Sequence, residues 1–229
     1  MIVIHIFGRS NTGKTTLIEA LCRRLAPKGQ IETIKHIGHH PMNLEDGKDT
    51  TIHFRAGASG STGIDDEKSI TIISHGDLVA ALDAASDRGA DFCIVEGYKN
   101  IPIPGIALGD FEAEHILMRD PTIDEISSKI DSFPRWRTPK AILDSLLKRA
   151  DREEVGSLLL LHTAPERALE RAADNARRYP GITAAEGVLL RSGCGFTLDQ
   201  GEGCLAVVGR SGSAIISALS QSAEELERE

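Results

Sequence analysis

The sequence has no long apolar run and no excess of basic residues. Apolar stretches such as Leu158 to Leu161 are far shorter than the roughly 20 residues of a transmembrane helix. The start of the chain lacks the charged and apolar regions of a secretory signal, which favours a cytoplasmic protein without a membrane partner. The formal net charge is −8, from 26 basic and 34 acidic residues. This balance excludes a general nucleic-acid binder, because phosphate contacts need a basic surface, but one loop can still hold a small phosphate ligand.

Cysteine is sparse as well. The four cysteines (Cys22, Cys93, Cys194 and Cys204) are widely spaced and form no CxxC pair. This spacing predicts buried or unreactive thiols rather than a disulfide framework or a zinc site. Hydrophobic residues make up 41% of the 229 residues, which is enough for a packed core. A chain of this length corresponds to one or two domains, at about 100–200 residues per domain.

In the first 150 residues, short apolar runs alternate with helical patterns. This alternation predicts an α/β fold with a mostly parallel sheet covered by helices on both faces. Helices are expected at about residues 15–25 and 77–88, and a polar, glycine-rich loop region with one short helix at 36–63. Strands are predicted at residues 2–7, 30–35, 69–74, 91–96, 106–108 and 116–118.

The pattern changes near residue 150. The segment Phe133–Pro139 (FPRWRTP) contains two prolines, and a helix at 140–149 is expected to connect two parts of the chain. The last lysine is Lys148, and residues 151–229 carry 8 basic and 13 acidic side chains. We therefore predict a nucleotide-binding domain at 1–150 and a small α+β domain at 151–229, with strands near 155–161, 187–190 and 204–208.

The strongest motif is GRSNTGKT, from Gly8 to Thr15. It matches the phosphate-binding pattern GxxxxGK[ST] and lies between a predicted strand and a predicted helix, as a P-loop requires. Gly8 and Gly13 let the backbone N–H groups converge on phosphate oxygens, and the helix N-terminus adds its dipole. Lys14 is expected to reach the β- and γ-phosphates, and the Thr15 hydroxyl to hold Mg²⁺. The predicted nucleotide contacts are Gly8, Arg9, Ser10, Asn11, Thr12, Gly13, Lys14, Thr15 and Thr16.

A P-loop also needs an acid near the metal ion or the attacking water. Glu96 ends the buried strand DFCIVE, and the carboxyl ends of strands in open α/β sheets face the ligand. We therefore predict Glu96 as a catalytic residue and, with Thr15, as a metal ligand. Asp49 is a second catalytic candidate, because it lies with Asp46 in the loop region where NTPases often keep a switch segment.

Histidines cluster directly after the second predicted strand. His36, His39 and His40 follow Lys35, and they can either bind a metal or line an anionic site. No cysteine or carboxylate is spaced to complete a zinc site with them, so the role of the cluster stays open. His5 lies in an apolar run and is predicted to be a core or interface residue.

Selectivity for the base is weakly encoded. The chain has no NKxD guanine signature, and the similar SKID at residues 128–131 lies within a predicted helix rather than after a strand. Asp120 follows a predicted strand and is the better placed candidate for contacting the base. Selectivity between guanine and adenine therefore does not follow from these residues alone.

Five specific stretches follow one another along the first domain: GRSNTGKTTLIEAL at 8–21, IKHIGHH at 34–40, DGKDT at 46–50, RAGA at 55–58 and VEGYK at 95–99. Taken in order, they resemble the molybdopterin-guanine dinucleotide biosynthesis protein B family. The resemblance implies a P-loop protein that binds GTP with Mg²⁺, hydrolyses it slowly, tends to be a dimer, and assists the guanylyltransferase that attaches GMP to molybdopterin. It also implies that Lys35, His36, Asp49, Glu96 and Lys99 face the nucleotide or its partner.

Residues 151–229 resemble the large subunit of molybdopterin synthase in a degenerate form. The similar stretches are VGSLLLL at 155–161, ALERAADNARRYPGI at 168–182 and LLRSGCGFTLDQGEGCLAVV at 189–208. The His-Arg pairs of that family are replaced here by Leu190-Arg191 and Gly209-Arg210, and the segment contains no lysine. An unrelated small α/β appendage is the alternative.

Three functions fit these patterns. The first is the GTP-binding accessory protein of molybdenum or tungsten cofactor synthesis that the resemblance implies. The second is a P-loop kinase of a small metabolite, which should carry a lid with several arginines; the loop regions 36–63 and 97–112 contain only Arg55. The third is a nucleotide-switched adaptor with negligible turnover.

Overall fold

The computed structural model describes residues 1–38, 42–74, 76–151, 153–194 and 200–226. Its helices are α1 (Lys14–Leu25), α2 (Asp49–Arg55), α3 (Leu78–Asp87), α4 (Ile123–Ser128), α5 (Pro139–Leu147), α6 (Glu166–Arg177) and α7 (Gly212–Leu226), with 3-10 turns at Ala26–Lys28 and Ile130–Ser132. Its strands are β1 (Ile2–Gly8), β2 (Ile31–Lys35), β3 (Gly60–Ile64), β4 (Ser69–Ile73), β5 (Phe92–Glu96), β6 (Gly105–Leu108), β7 (Ile116–Arg119), β8 (Val155–Pro165), β9 (Ile182–Leu189) and β10 (Gln200–Gly209).

A five-stranded parallel sheet forms the first part of the chain, with strand order β2-β5-β1-β6-β7. Strand β1 lies at its centre and is buried along its whole length. Successive side chains of a strand point to opposite faces, so Ile4 packs with Leu21 of α1 whereas Val3 packs with Leu82 of α3. The predicted α/β class, a mostly parallel sheet covered on both faces, is confirmed.

The strand predicted at Ser69–Ser74 exists, but it is not part of this sheet. Strand β4 pairs antiparallel with β3 in a separate two-stranded hairpin. Ile64, Ile70 and Ile73 of the hairpin are exposed. The alternating sequence correctly indicates a strand, but the alternation carries no information about its pairing partner. Strand β3 also begins inside the stretch 36–63 that we predict as a loop region.

The C-terminal part contains a three-stranded antiparallel sheet with strand order β8-β10-β9. Helix α6 packs closely on it: a Cβ added to Gly187 would lie 2.0 Å from the carbonyl oxygen of Leu169. Helices α6 and α7 share one apolar cluster with this sheet, which includes Ala172, Leu205 and Ile215. The predicted additional α+β region is confirmed. Among the described residues, no helix is both long and apolar enough to cross a membrane.

Helix α5 precedes residue 150 in the chain but packs on the C-terminal sheet. Its Ile142 and Leu146 are buried against Cys204, Ala206 and Val208 of β10. A domain boundary at residue 150 would separate α5 from the sheet that covers its apolar side. The boundary stays a prediction. Burial raises the pKa of the Cys204 thiol to about 11, as expected for an unreactive cysteine.

The segment around the two prolines joins the two sheets. The Arg135 amide donates to the carbonyl of Ser192 (2.9 Å), and the Arg137 amide donates to that of Leu190 (2.7 Å). Between them, Trp136 is fully buried and its indole N–H donates to Asp83 Oδ1 at 2.7 Å. The N–H of Val3 on β1 donates to the carbonyl of Pro134 (2.9 Å). Residues 134–137 thus form hydrogen bonds to both parts of the chain.

Candidate nucleotide site

The predicted site residues meet at the carboxyl edge of the parallel sheet. Strand β1 ends at Gly8 and continues into the phosphate loop. The neighbouring strand β5 ends at Glu96, and β2 beyond it ends at Lys35. On the other side of β1, Asp120 follows β7. All these strands are parallel, so the sheet itself brings their carboxyl ends to one edge, where ligands bind in open α/β folds.

The phosphate loop depends on two glycines for different reasons. A Cβ on Gly8 would lie 2.8 Å from the Leu108 carbonyl oxygen and 2.9 Å from Thr12 Oγ1, so a side chain does not fit there. Gly13 has open space around it but a left-handed conformation (φ 86°), which L-residues rarely adopt. Helix α1 begins at the next residue, Lys14. The side chains of Arg9, Ser10, Asn11, Thr15 and Thr16 are exposed, and that of Thr12 is half-buried.

Lys14 folds back over the phosphate loop. Its Nζ donates to the carbonyl oxygens of Arg9 (2.5 Å) and Gly8 (3.3 Å). Partial burial is the main cause that lowers the pKa of Lys14. The charge of Glu96 opposes this shift, whereas the charges of Lys99 and Lys35 add to it. These four side chains therefore form one electrostatic cluster, which we call the lysine cluster (Lys14, Lys35, Lys99 and Glu96).

Glu96 is the acid of this cluster. Its carboxylate Oε2 lies 3.3 Å from Lys35 Nζ, and the Glu96 side chain is only 14% exposed whereas that of Lys35 is 58% exposed. One half-buried carboxylate thus faces several ammonium groups, so the cluster carries net positive charge. Such an arrangement attracts a polyanion with a bound divalent cation.

The segment after Glu96 has a strained backbone that sequence reasoning did not single out. Gly97 (φ 96°) and Tyr98 (φ 49°) are both left-handed, and left-handed non-glycine residues concentrate at functional sites. The Tyr98 ring stacks on that of His36, with centroids 4.4 Å apart. Lys99 Nζ lies 5.2 Å from the centroid of Phe111. Tyr98 lies within the EGYK stretch next to Lys99, so the sequence offered a signal that it belongs to the site. No motif in the sequence indicated that Phe111 lies there.

Asp120 lies next to the phosphate loop, whereas Asp49 lies on a helix that packs elsewhere. Asp120 (φ 44°) accepts a hydrogen bond from the Gly109 amide at 2.8 Å and so holds the turn after β6, next to the phosphate loop. Asp49 is the first residue of α2, a helix that packs on the hairpin of β3 and β4. Nearby Asp46 pairs with Arg55 at 2.6 Å. The hydrogen bonds and ion pairs of the described residues include none between Asp49 and the phosphate loop.

Potential metal ligands were predicted among the histidines after β2 and at Thr15 and Glu96. Within the ranges that the structure describes, no group of three or more His, Cys, Asp or Glu side chains is placed to hold a metal ion. His39 and His40 lie outside the described residues. Thr15 and Glu96 supply one hydroxyl and one carboxylate, which are suitable oxygen ligands for Mg²⁺ when phosphate oxygens and water provide the others.

Comparison with known proteins identifies the family. A family model, molybdopterin guanine dinucleotide synthesis protein B (MobB), matches residues 3–126. The chain belongs to the MobB family. It is 36% identical over 129 residues to a molybdopterin-guanine dinucleotide biosynthesis adapter protein of Haemophilus influenzae, an alignment that covers 54% of this chain and 70% of the relative. The expectation from the ordered motifs is therefore confirmed.

More distant MobB relatives align over less of their length. A relative from Methanocaldococcus jannaschii is 30% identical over 153 residues, and one from Bacillus subtilis is 29% identical over 111 residues. The chain covers 64% of each of them, slightly less than two thirds, and the alignments span 64% and 46% of the chain. The crystal structure of B. subtilis MobB is 20% identical, with a TM-score of 0.46, over 57% of this chain and 98% of that one.

The MobB match covers the candidate site but not the C-terminal sheet. It runs from β1 into α4 and so includes every predicted site residue from Gly8 to Asp120. Helix α5 and the antiparallel sheet lie beyond it. The resemblance of residues 151–229 to the molybdopterin synthase large subunit therefore stays a prediction.

Proposed function

We propose that this MobB-family protein binds GTP with Mg²⁺ in the phosphate loop, hydrolyses it slowly, and acts as an accessory protein when guanine dinucleotide is attached to molybdopterin. The observation that carries the proposal is the lysine cluster. Three lysines and one half-buried carboxylate interact electrostatically at the mouth of a glycine-dependent loop that opens helix α1. Membership of the MobB family supports the choice of pathway.

The charges of the cluster explain how a triphosphate would be held. Lys99 and Lys35 repel Lys14, whose ammonium group donates to the carbonyls of Gly8 and Arg9. A triphosphate replaces that repulsion with attraction to all three ammonium groups, and it raises the pKa of Lys14. The N–H groups at the start of α1 add their dipole. Lys14 must therefore turn from the carbonyls toward the phosphates on binding.

Hydrolysis follows from positioning and electrostatics. Mg²⁺, when bound, neutralises charge on the β- and γ-phosphate oxygens, and Thr15 and Glu96 are the residues that would hold it. Glu96 is also placed to orient the attacking water, since it ends the strand next to the phosphate loop. Arg55, the one arginine in the sequence of the loop regions 36–63 and 97–112, pairs with Asp46 at 2.6 Å, so we expect no arginine finger from these loops. Without such an arginine, turnover should be slow, on the order of 10⁻⁴–10⁻² s⁻¹.

Calorimetric titration with Mg²⁺ and GTP tests the proposal. Wild-type protein should bind, and Lys14→Ala should lose binding while keeping nearly the same unfolding temperature without ligand, because the hydrogen bonds of the Lys14 ammonium go to carbonyl groups of the loop itself. Lys28→Ala is the matched control, since Lys28 is an exposed lysine in the 3-10 turn after α1. Unchanged affinity in folded Lys14→Ala would overturn the assignment of the phosphate site.

The role in dinucleotide attachment is tested with the partner. We propose that the protein contacts a molybdopterin guanylyltransferase and molybdopterin species, and that it works as a homodimer; the adapter names of its relatives support the pathway. Single-turnover GTP hydrolysis should be measured with and without the guanylyltransferase. Tight GTP binding with no hydrolysis under either condition would favour a nucleotide-switched adaptor instead.

A further inference from the structure

His5 is a buried histidine whose two ring nitrogens both face carbonyl oxygens. It lies on β1, is 1% exposed, and was predicted from the sequence only as a core or interface residue. Its Nδ1 lies 2.9 Å from the carbonyl oxygen of Ile103, and its Nε2 lies 2.6 Å from that of Gly97. Gly97 and Ile103 lie at the start and near the end of the connection between β5 and β6. We call this segment, residues 97–103, the bridging segment.

The chemistry of imidazole makes this arrangement unusual. A carbonyl oxygen only accepts hydrogen bonds, and a neutral imidazole has a single N–H group to donate. The neutral ring therefore donates to one end of the bridging segment, and the imidazolium donates to both. Burial is the main cause that lowers the pKa of His5, while the bonds to Ile103 and Gly97 act in the opposite direction. The lowered pKa favours the neutral ring, which holds the segment against the central strand of the sheet by one hydrogen bond at one of the two ends.

The bridging segment carries residues that face the phosphate loop. Tyr98 stacks on His36, and Lys99 belongs to the lysine cluster. The backbone of Tyr98 is left-handed, a conformation that a non-glycine residue keeps only where the surroundings impose it. The His5 ring also packs edge-on against Phe7, which lies 5.7 Å from Phe111, the ring below Lys99. His5 thus contacts both ends of the segment directly, and it is connected to the ring below Lys99 through Phe7.

We propose that His5 is a positioning residue that ties the bridging segment to β1 by the hydrogen bond that its neutral ring donates, and so sets where Tyr98 and Lys99 lie beside the phosphate loop. The effect on nucleotide binding rests on the proposed function; the effect on the segment does not. A second backbone bond, from the Gly97 amide to the Ile6 carbonyl (3.1 Å), holds the start of the segment independently. Loss of His5 should therefore loosen the segment mainly from Tyr98 to Ile103.

Hydrogen exchange of the full chain tests the first part. His5→Phe keeps an aromatic ring against Phe7 and removes both ring nitrogens. We expect the amide of Ile101, which donates to the carbonyl of Tyr98 (3.2 Å), to exchange about tenfold faster, as for the loss of a typical buried hydrogen bond, with no change in α1. Ile4→Val is the matched control, because Ile4 is fully buried on the opposite face of the same strand. Exchange within twofold of wild type in folded His5→Phe would overturn the proposal.

Two further measurements separate the outcomes. Nitrogen NMR of the His5 ring in the wild-type protein should show an N–H protected from exchange with water, and a rapidly exchanging ring would refute the proposal even if His5→Phe does not fold. Binding of Mg²⁺ and GTP should weaken about tenfold in His5→Phe and less in His5→Gln, which keeps one donor. Unchanged affinity with a loosened segment would refute the positioning role. If wild-type protein binds no GTP, the proposed function fails, but the exchange and NMR results still decide whether His5 holds the segment.

Discussion

Replacing Glu96 with glutamine keeps the shape of the side chain and removes its charge from the edge of the parallel sheet. The stability cost should be small. Lys35, the ion-pair partner at 3.3 Å, is 58% exposed, and exposed pairs contribute about 1 kcal/mol or less. The change also removes the one negative charge that raises the pKa of Lys14, so that pKa should fall further. We therefore expect a folded protein with a more positive cluster.

The effect on hydrolysis should be much larger. A group that acts on charge developing in the transition state contributes about 3–4 kcal/mol, which corresponds to a loss of about 10²–10³ in rate. Affinity for GTP should change less than tenfold, because two effects of the substitution oppose each other. The glutamine amide no longer repels the phosphates, but it holds Mg²⁺ less well than the carboxylate of Glu96. Glu96→Gln should therefore separate binding from turnover.

Single-turnover hydrolysis with labelled GTP, alongside equilibrium binding of the same nucleotide, measures both quantities. Glu32→Gln is the matched control, because Glu32 also forms an ion pair, with Arg88 at 2.5 Å, but lies within β2 rather than at the site edge. If Glu96→Gln hydrolysed GTP at the same rate as the wild-type protein, the assignment of Glu96 as the essential acid would be refuted. If Asp49→Asn then abolished hydrolysis, Asp49 would be the essential acid instead.

Three other predictions follow from the site and the fold. In competition binding, the protein should prefer GTP to ATP, and equal or tighter binding of ATP would contradict this. The full chain should form no molybdopterin from the precursor pterin and a thiocarboxylated small subunit, because residues 151–229 contain arginines but no lysine. Any conversion would disprove the prediction that the C-terminal region is inactive. The lowered pKa of buried His5 means that the unfolded chain binds more protons as pH falls below about 6.5. The free energy of unfolding should then decrease by up to about 1.4 kcal/mol per pH unit as the pH falls. Urea unfolding between pH 7.5 and 5.0 should show a smaller decrease of this free energy for His5→Phe than for the wild-type protein.

The sequence by itself determined the phosphate loop and the edge of the sheet where it lies. The loop is local: eight consecutive residues specify the glycine turns and the start of α1, and no distant contact is needed to read them. The place of Glu96 also followed from sequence, because a buried run with a polar end predicts a strand whose carboxyl end meets its parallel neighbours at one edge. The ordered motifs were sufficient to indicate the MobB family.

Only the tertiary structure decided which elements pack together. The alternation in β4 indicated a strand but not its pairing with β3, and the pattern of α5 did not show that its apolar side covers the C-terminal sheet. His5 is the clearest case, since its ring meets carbonyl groups 92 and 98 residues away in the chain. Periodicity reports which side of an element is apolar, because that depends on neighbouring residues alone. The partner of a buried nitrogen depends on how distant segments converge, and that convergence is fixed only when the whole sheet forms.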